Sequence, residues 1–149
     1  MAFRFSLDTL LRLHRSREHQ ERMRLEVLAA QLTRLRVEIA AVQQRFAELR
    51  QAISTAPKGG WTGAELHWLV ACQHDCRRQL AGLEQQLAEA EQHHRQQLEV
   101  YQKARQALDI LEQFRLRRLR EYRVAEARRE QKRLDETHLL ARPSGRRLG

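Results

Sequence analysis

Residues 54–63 read STAPKGGWTG, and this short segment decides how the rest of the chain is arranged. Outside it, no proline and a single glycine, Gly82, occur between Ser6 and Arg142. Because proline and glycine are the residues that most often end helices, each flanking segment can form one continuous helix. The segment is therefore predicted to be the tip of a helical hairpin. The alternative is a disordered linker between two separate helices.

The far side of this segment carries the signals of a helix start. Thr62 is predicted to be the N-cap, and Glu65, three residues later, can complete a capping box. Trp61 is placed to pack on Leu66 as a hydrophobic staple. By the same reasoning, Ser6 is predicted to cap the first helix.

The composition favours an extended core over a compact one. Aromatic residues make up 5% of the 149 residues and charged residues 32%, which is typical of long paired helices with a narrow apolar seam. No apolar run reaches the length of a membrane span, and no secretory leader is recognised at the start of the chain. We therefore expect a cytosolic protein.

The sequence offers little support for catalysis, a metal site or a cofactor. It has no glycine-rich phosphate loop, and its histidines and carboxylates are scattered along the helices. Cys72 and Cys76 lie four residues apart, but His67 and His74 are poorly spaced to complete a set of four zinc ligands. Cys76 is more simply explained as a small core residue. No enzyme activity, metal or cofactor is predicted.

Apolar residues recur at alternating steps of three and four along both segments, which is the pattern of a coiled-coil seam. The first stripe comprises Leu7, Leu11, His14, Glu18, Glu21, Leu25, Leu28, Leu32, Leu35, Ile39, Val42, Phe46, Leu49 and Ile53. The second comprises Leu66, Leu69, Gln73, Cys76, Leu80, Leu83, Leu87, Ala90, His94, Gln97, Tyr101, Ala104, Leu108 and Leu111. Reversal at the tip pairs Leu11 with Leu108, Leu32 with Leu87, and the polar Glu21 with Gln97.

These patterns predict an all-α fold of two long helices that form an antiparallel coiled-coil hairpin. The predicted bounds are about 7–55 for the first helix, 56–62 for the tip and about 63–140 for the second helix, within a single domain of residues 1–149. The apolar stripe stops after Leu111, so the second helix should continue as a C-terminal helical overhang. Pro143 should end it and leave a flexible basic tail at residues 141–149.

The formal charge of +9 is concentrated near the two chain ends. Residues 1–61 hold 11 Lys or Arg against 6 Asp or Glu, and residues 113–149 hold 12 against 5, whereas residues 62–112 hold 5 against 8. An acidic partner should therefore bind where the termini meet. The candidate contacts are Arg4, Arg115, Arg117, Arg118, Arg120 and Arg123. Near the tip, Trp68 lies off the seam and is a candidate docking residue.

The chain resembles the FliJ family of the bacterial flagellar export apparatus. The resemblance is carried by FRFSLDTLLRL at residues 3–13, by the two-helix arrangement, and by RREQKRLDE at residues 128–136. It implies a non-catalytic protein that binds the ring-forming export ATPase FliI as a stalk-like coiled coil and contacts the export-gate protein FlhA. It also implies contacts with export chaperones or substrates, and a peripheral position at the cytoplasmic face of the inner membrane, reached only through the export apparatus.

Two other classes of function stay open on the residues alone. A basic coiled coil could bind nucleic acid along the phosphate backbone. However, Glu121, Glu126 and Glu130 are interleaved among the arginines, which favours a protein partner over nucleic acid. A purely structural spacer would influence no ATPase.

Overall fold

A computed structural model of the protein describes residues 2–142. It contains two helices, α1 (Asp8–Ser54) and α2 (Gly63–Ala141), and no strand among the described residues. The predicted all-α class with two long helices is confirmed. Residues 143–149, which include Pro143 and most of the predicted basic tail, lie outside the described part of the chain.

The chain divides into two compact units, one of residues 19–103 and the other of the two terminal segments, 1–18 and 104–149. In the unit of residues 19–103, α1 and α2 run antiparallel. Leu32, Leu35 and Ala90 form a buried cluster against which Leu83 and Leu87 pack. The predicted pairing of Leu32 with Leu87 is thus confirmed. It stabilises the helix pair because it removes apolar surface of both helices from water.

A polar layer lies within this same unit. The Gln97 side-chain amide donates hydrogen bonds to the main-chain carbonyl of Glu21, at 3.1 Å, and to the Glu21 carboxylate, at 2.5 Å. Arg24 binds the same carboxylate at 2.9 Å. The predicted pairing of Glu21 with Gln97 is confirmed, and it fixes the register because these two side chains can form a hydrogen bond only when they lie in the same layer.

In the terminal unit, the start of α1 packs antiparallel against α2 after Ala104. Phe5, Leu11 and Leu108 are buried together, with Leu11 fully inaccessible to solvent. The predicted contact between Leu11 and Leu108 is thereby confirmed. An ion pair between Arg15 and Glu112, at 3.6 Å, joins the two helices beside this cluster.

The structure confirms the predicted N-cap of α2 and corrects the predicted N-cap of α1. The capping box is confirmed, since the Glu65 amide donates to the Thr62 hydroxyl at 3.2 Å and the Thr62 amide donates to the Glu65 carboxylate at 3.3 Å. The cap predicted at Ser6 is wrong by one residue. The first helical carbonyl is that of Leu7, which accepts from the Leu11 amide at 2.9 Å, after a turn in which the Phe5 carbonyl accepts from Asp8.

The connection between the helices turns at two glycines. Gly59 and Gly60 have φ angles of 97° and 76°, in the left-handed region that side chains with a Cβ seldom adopt. The Gly60 amide closes the turn by donating to the Pro57 carbonyl at 2.9 Å. Ser54 and Thr55 hydroxyls both donate to the Gln51 carbonyl at 2.8 Å, so this carbonyl at the end of α1 is satisfied.

Candidate partner-binding surfaces

An aromatic cluster fastens the N-terminal residues onto α2 within the terminal unit. The rings of Phe5 and Phe114 have centroids 5.8 Å apart, and those of Phe3 and Tyr122 have centroids 5.5 Å apart. Both pairs are tilted, which is a favourable arrangement for aromatic rings. Tyr122 therefore takes part in packing although it lies three turns beyond the last leucine of the seam. The N-terminal segment covers one side of α2 as far as this residue.

Three of the six candidate arginines lie on that covered side. Arg4 and Arg115 line a cleft with Phe3, Phe5 and Asp8. The Arg118 guanidinium lies 5.3 Å from the centre of the Phe114 ring and 3.8 Å from the Glu121 carboxylate. Arg118 is thus engaged inside the protein, by a cation–π contact and an ion pair.

The other three arginines lie on the open side of the helix. Arg117, Arg120 and Arg123 are exposed, and within residues 2–142 none of them has a carboxylate within ion-pair distance. At 100° per residue, they occupy an arc of roughly 120° facing away from Phe114 and Tyr122. The exposed Leu116 and Val124 lie within the same arc. We call this surface, residues 116, 117, 120, 123 and 124, the arginine face.

Beyond Tyr122, the charged side chains of α2 are exposed to solvent. The side chains from Arg123 to Arg142 are exposed, except for the half-buried Ala125. Two ion pairs form along the helix, Arg129 with Glu126 and Arg133 with Glu130, each at 3.4 Å. These two ion pairs therefore offset part of the positive charge of this segment, whereas no arginine of the arginine face is paired among residues 2–142.

A second candidate surface lies at the start of α2, in the unit of residues 19–103. Trp68 is 64% exposed and borders an apolar cleft of about 470 Å³ with Trp61, Ala64 and Leu69. The Trp61 ring nitrogen donates to the Ile53 carbonyl at 3.4 Å. Leu66, the predicted staple partner of Trp61, is 40% exposed. Trp61 thus forms one wall of the cleft and leaves the face of Trp68 open.

The described residues contain neither a membrane-spanning helix nor a metal-binding cluster. Within the described residues, neither helix contains a stretch apolar enough and long enough to cross a membrane. In the same part of the chain, no three His, Cys, Asp or Glu side chains come together in an arrangement suited to a metal ion. Cys72 and Cys76 are free thiols, and Cys76 is buried on the seam as predicted.

Comparison with known proteins assigns the chain to a class. A family model described as flagellar FliJ protein matches residues 3–146, nearly the whole chain. The class is that of non-enzymatic components of the flagellar protein export apparatus. The chain belongs to the FliJ family. No curated protein and no solved structure matches it.

Proposed function

We propose that this protein binds the export ATPase FliI through the arginine face and the N-terminal segment packed on the same stretch of α2, acting as a stalk-like coiled coil in the ATPase ring. The observation that carries the proposal is the set of three exposed arginines, Arg117, Arg120 and Arg123, which have no ion partner within residues 2–142. An acidic surface on a partner would neutralise them. In this proposal the protein works at the cytoplasmic face of the inner membrane, at the base of the flagellum.

The dimensions of the free part of α2 suit entry into a ring. From Arg123 to Ala141 the helix has 19 residues, which at about 1.5 Å per residue extend about 30 Å. The aromatic pairs of Phe3 and Phe5 hold the N-terminal segment beside the base of this helix. Arg4 is exposed on this segment, on the side of α2 opposite the arginine face, and can add a further cation to the contact.

The tip supports a second contact, with the export-gate protein FlhA. An exposed tryptophan beside an apolar cleft is the kind of anchor that dominates protein–protein binding energies. Trp68 is such a residue, and its neighbours Leu66 and Val70 are 40% and 50% exposed. A protein that binds the ATPase at one surface and the gate at the other would link the two.

The arrangement of charges supports a protein partner over nucleic acid. A phosphate backbone needs a continuous row of cations. Along α2, Arg118, Arg129 and Arg133 are each paired with a glutamate on the same helix. Each pair lowers the local positive potential and interrupts the row.

The test is stimulation of ATP hydrolysis by purified FliI. Reversing Arg117, Arg120 and Arg123 to Glu removes the cations of the arginine face and should abolish stimulation. The helix content and the unfolding transition should change little, because these side chains are exposed. Copurifying nucleic acid, with binding that weakens steeply as salt rises, would instead support the rival function.

A matched control separates a specific contact from a general loss of charge. Arg17, Arg50 and Arg95 are also exposed and have no ion partner within residues 2–142, but they lie elsewhere on the two helices. Reversing these three gives the same change in net charge and should leave stimulation within about twofold of the unsubstituted protein. Equal losses in both triple variants would contradict the assignment to the arginine face.

A further inference from the structure

A groove runs along one side of the helix pair in the unit of residues 19–103. Its volume is about 530 Å³. The lining residues are Glu38, Ala41, Val42 and Arg45 from α1 and Gln79, Gly82, Leu83 and Gln86 from α2. The apolar part, Val42 and Leu83, belongs to the seam, and the two smallest lining residues are Ala41 and Gly82.

Gly82 is not explained by the packing within one chain. Glycine destabilises the interior of a helix relative to alanine, because it loses more backbone freedom on folding. A Cβ added at Gly82 would meet no atom within 4 Å, and its φ is not in the left-handed region. Any small side chain could therefore stand there without strain. What glycine does provide is an open groove into which another helix could pack closely.

The charged residues of α1 beside the groove are arranged so that each would face a residue of opposite sign if the helix were turned end to end about Ala41. With steps of four and three residues, the row on α1 is Arg34, Glu38, Ala41, Arg45 and Glu48, all of them exposed. A second copy of α1 laid antiparallel and centred on Ala41 would face Arg34 with Glu48 of the second copy. Glu38 would likewise face Arg45 of the second copy. Every charge in the row then meets its opposite, and each pairing occurs twice by symmetry.

We propose that this groove is a site of self-association, in which two copies pack antiparallel about a twofold axis that passes Ala41 and Gly82 and form a bundle of four helices. On α2 the same axis brings Gln79 opposite Gln86 of the second copy, and amide side chains can pair as both donor and acceptor. One turn farther out, Asp75 would approach Glu89 of the second copy. Asp75 already has a cation 3.7 Å away, the Arg78 guanidinium, which offsets that repulsion.

The choice of a second copy over another partner rests on this self-complementarity. A twofold interface requires that one surface match itself when turned around, a condition that few charge patterns satisfy. Arg45 has no carboxylate within 4 Å among residues 2–142, so its charge is available for a neighbour. Glu38 has only a long contact with Arg34, at 3.8 Å, on the exposed surface. Both side chains can change partner at little cost.

Sedimentation equilibrium of the full chain tests the proposal. The unsubstituted protein should show a monomer–dimer equilibrium. Glu38→Arg places two cations opposite each other, and Arg45→Glu places two carboxylates opposite each other. Each single variant should therefore raise the dimer dissociation constant about tenfold or more. An equimolar mixture of the two variants restores opposite charges at both places and should associate within about threefold of the unsubstituted protein.

Two further variants complete the experiment. Glu84→Arg makes the same charge change as Glu38→Arg, but at an exposed position outside the groove lining, and should leave association unchanged. Gly82→Gln fills the groove and should weaken the dimer at least tenfold, while the monomer unfolds no earlier because glutamine is the better helix former.

A chain that stays monomeric at every concentration, or a mixture that associates no better than its two components, would overturn the proposal. The first result would leave the groove open to a helix of another protein. Since self-association involves no ATPase, either failure would leave the proposed function standing.

Discussion

The polar layer of Glu21 and Gln97 gives a quantitative prediction. Gln97→Leu removes an amide that donates two hydrogen bonds, one of them to a carboxylate. The Glu21 side chain is only 16% exposed, so water can replace the lost donor only in part, although Arg24 remains bound at 2.9 Å. The substitution therefore leaves a partly desolvated carboxylate beside a leucine.

The expected loss in the free energy of unfolding follows from these contacts. A hydrogen bond to a charged group contributes about 1.5–3 kcal/mol, and the partial exposure and the retained arginine reduce the loss here to about 1–2 kcal/mol. Glu21→Leu leaves the amide without its carboxylate acceptor and should cost about 1 kcal/mol. The double variant has two apposed leucines on the seam and should be as stable as the unsubstituted protein or up to about 1 kcal/mol more stable.

Denaturant unfolding followed by helical circular dichroism measures these differences as a double-mutant cycle. Gln96→Leu is the control, because Gln96 is exposed on the same turn of α2 and should change stability by less than about 0.5 kcal/mol. If the double variant loses the sum of the two single losses, the side chains do not share a layer and the register is wrong.

Three other predictions concern packing, capping and the tip. Leu11→Ala should lower the free energy of unfolding in denaturant by about 3 kcal/mol, because Leu11 is fully buried. The control Leu10→Ala, at a position 38% exposed, should lower it by less than about 1 kcal/mol, and equal losses would contradict the packing. Thr62→Ala breaks the capping box and should cost about 1 kcal/mol in the same assay, so an unchanged transition would show that the cap contributes nothing. Trp68→Ala should leave the unfolding transition unchanged and weaken binding to FlhA at least tenfold, whereas Val70→Ala should have little effect; retained binding by the first variant would exclude the anchor.

The seam could be predicted from the sequence because spacing alone determines which residues share one side of a helix. Leu11, Leu32, Leu35, Val42 and Leu108 are all buried and all lie on the predicted stripes. The hairpin register followed from matching polar layers, since a buried polar side chain needs a polar partner. Both inferences use the fixed geometry of the helix and do not require knowledge of individual side-chain conformations.

The details of the terminal unit could not be predicted in this way. Aromatic contacts such as that of Phe3 with Tyr122 depend on the path of a non-helical segment, which periodicity does not describe. The engagement of Arg118 by Phe114 depends on the same path, because the N-terminal segment decides which side of α2 is covered. For this reason the sequence analysis treats six arginines as equivalent, whereas the structure separates Arg117, Arg120 and Arg123 from the rest.

The groove at Gly82 was also missed, although its signals were in the sequence. A lone glycine within a helix indicates either a close approach or a tolerated defect, and spacing does not distinguish them. The structure shows that a Cβ at Gly82 would have no packing neighbour within 4 Å among the described residues. Only then does the reversing charge order about Ala41 become informative, because it identifies what could approach instead.

Site-specific photocrosslinking to FliI tests the central claim most directly. A photoreactive residue is placed at Arg120, in the middle of the arginine face, and in a separate variant at Trp68, near the tip. With the assembled ATPase ring, the probe at position 120 should give an adduct with FliI and the probe at position 68 should not. An adduct with FliI from position 68 alone would contradict the account and assign the ATPase contact to the tip.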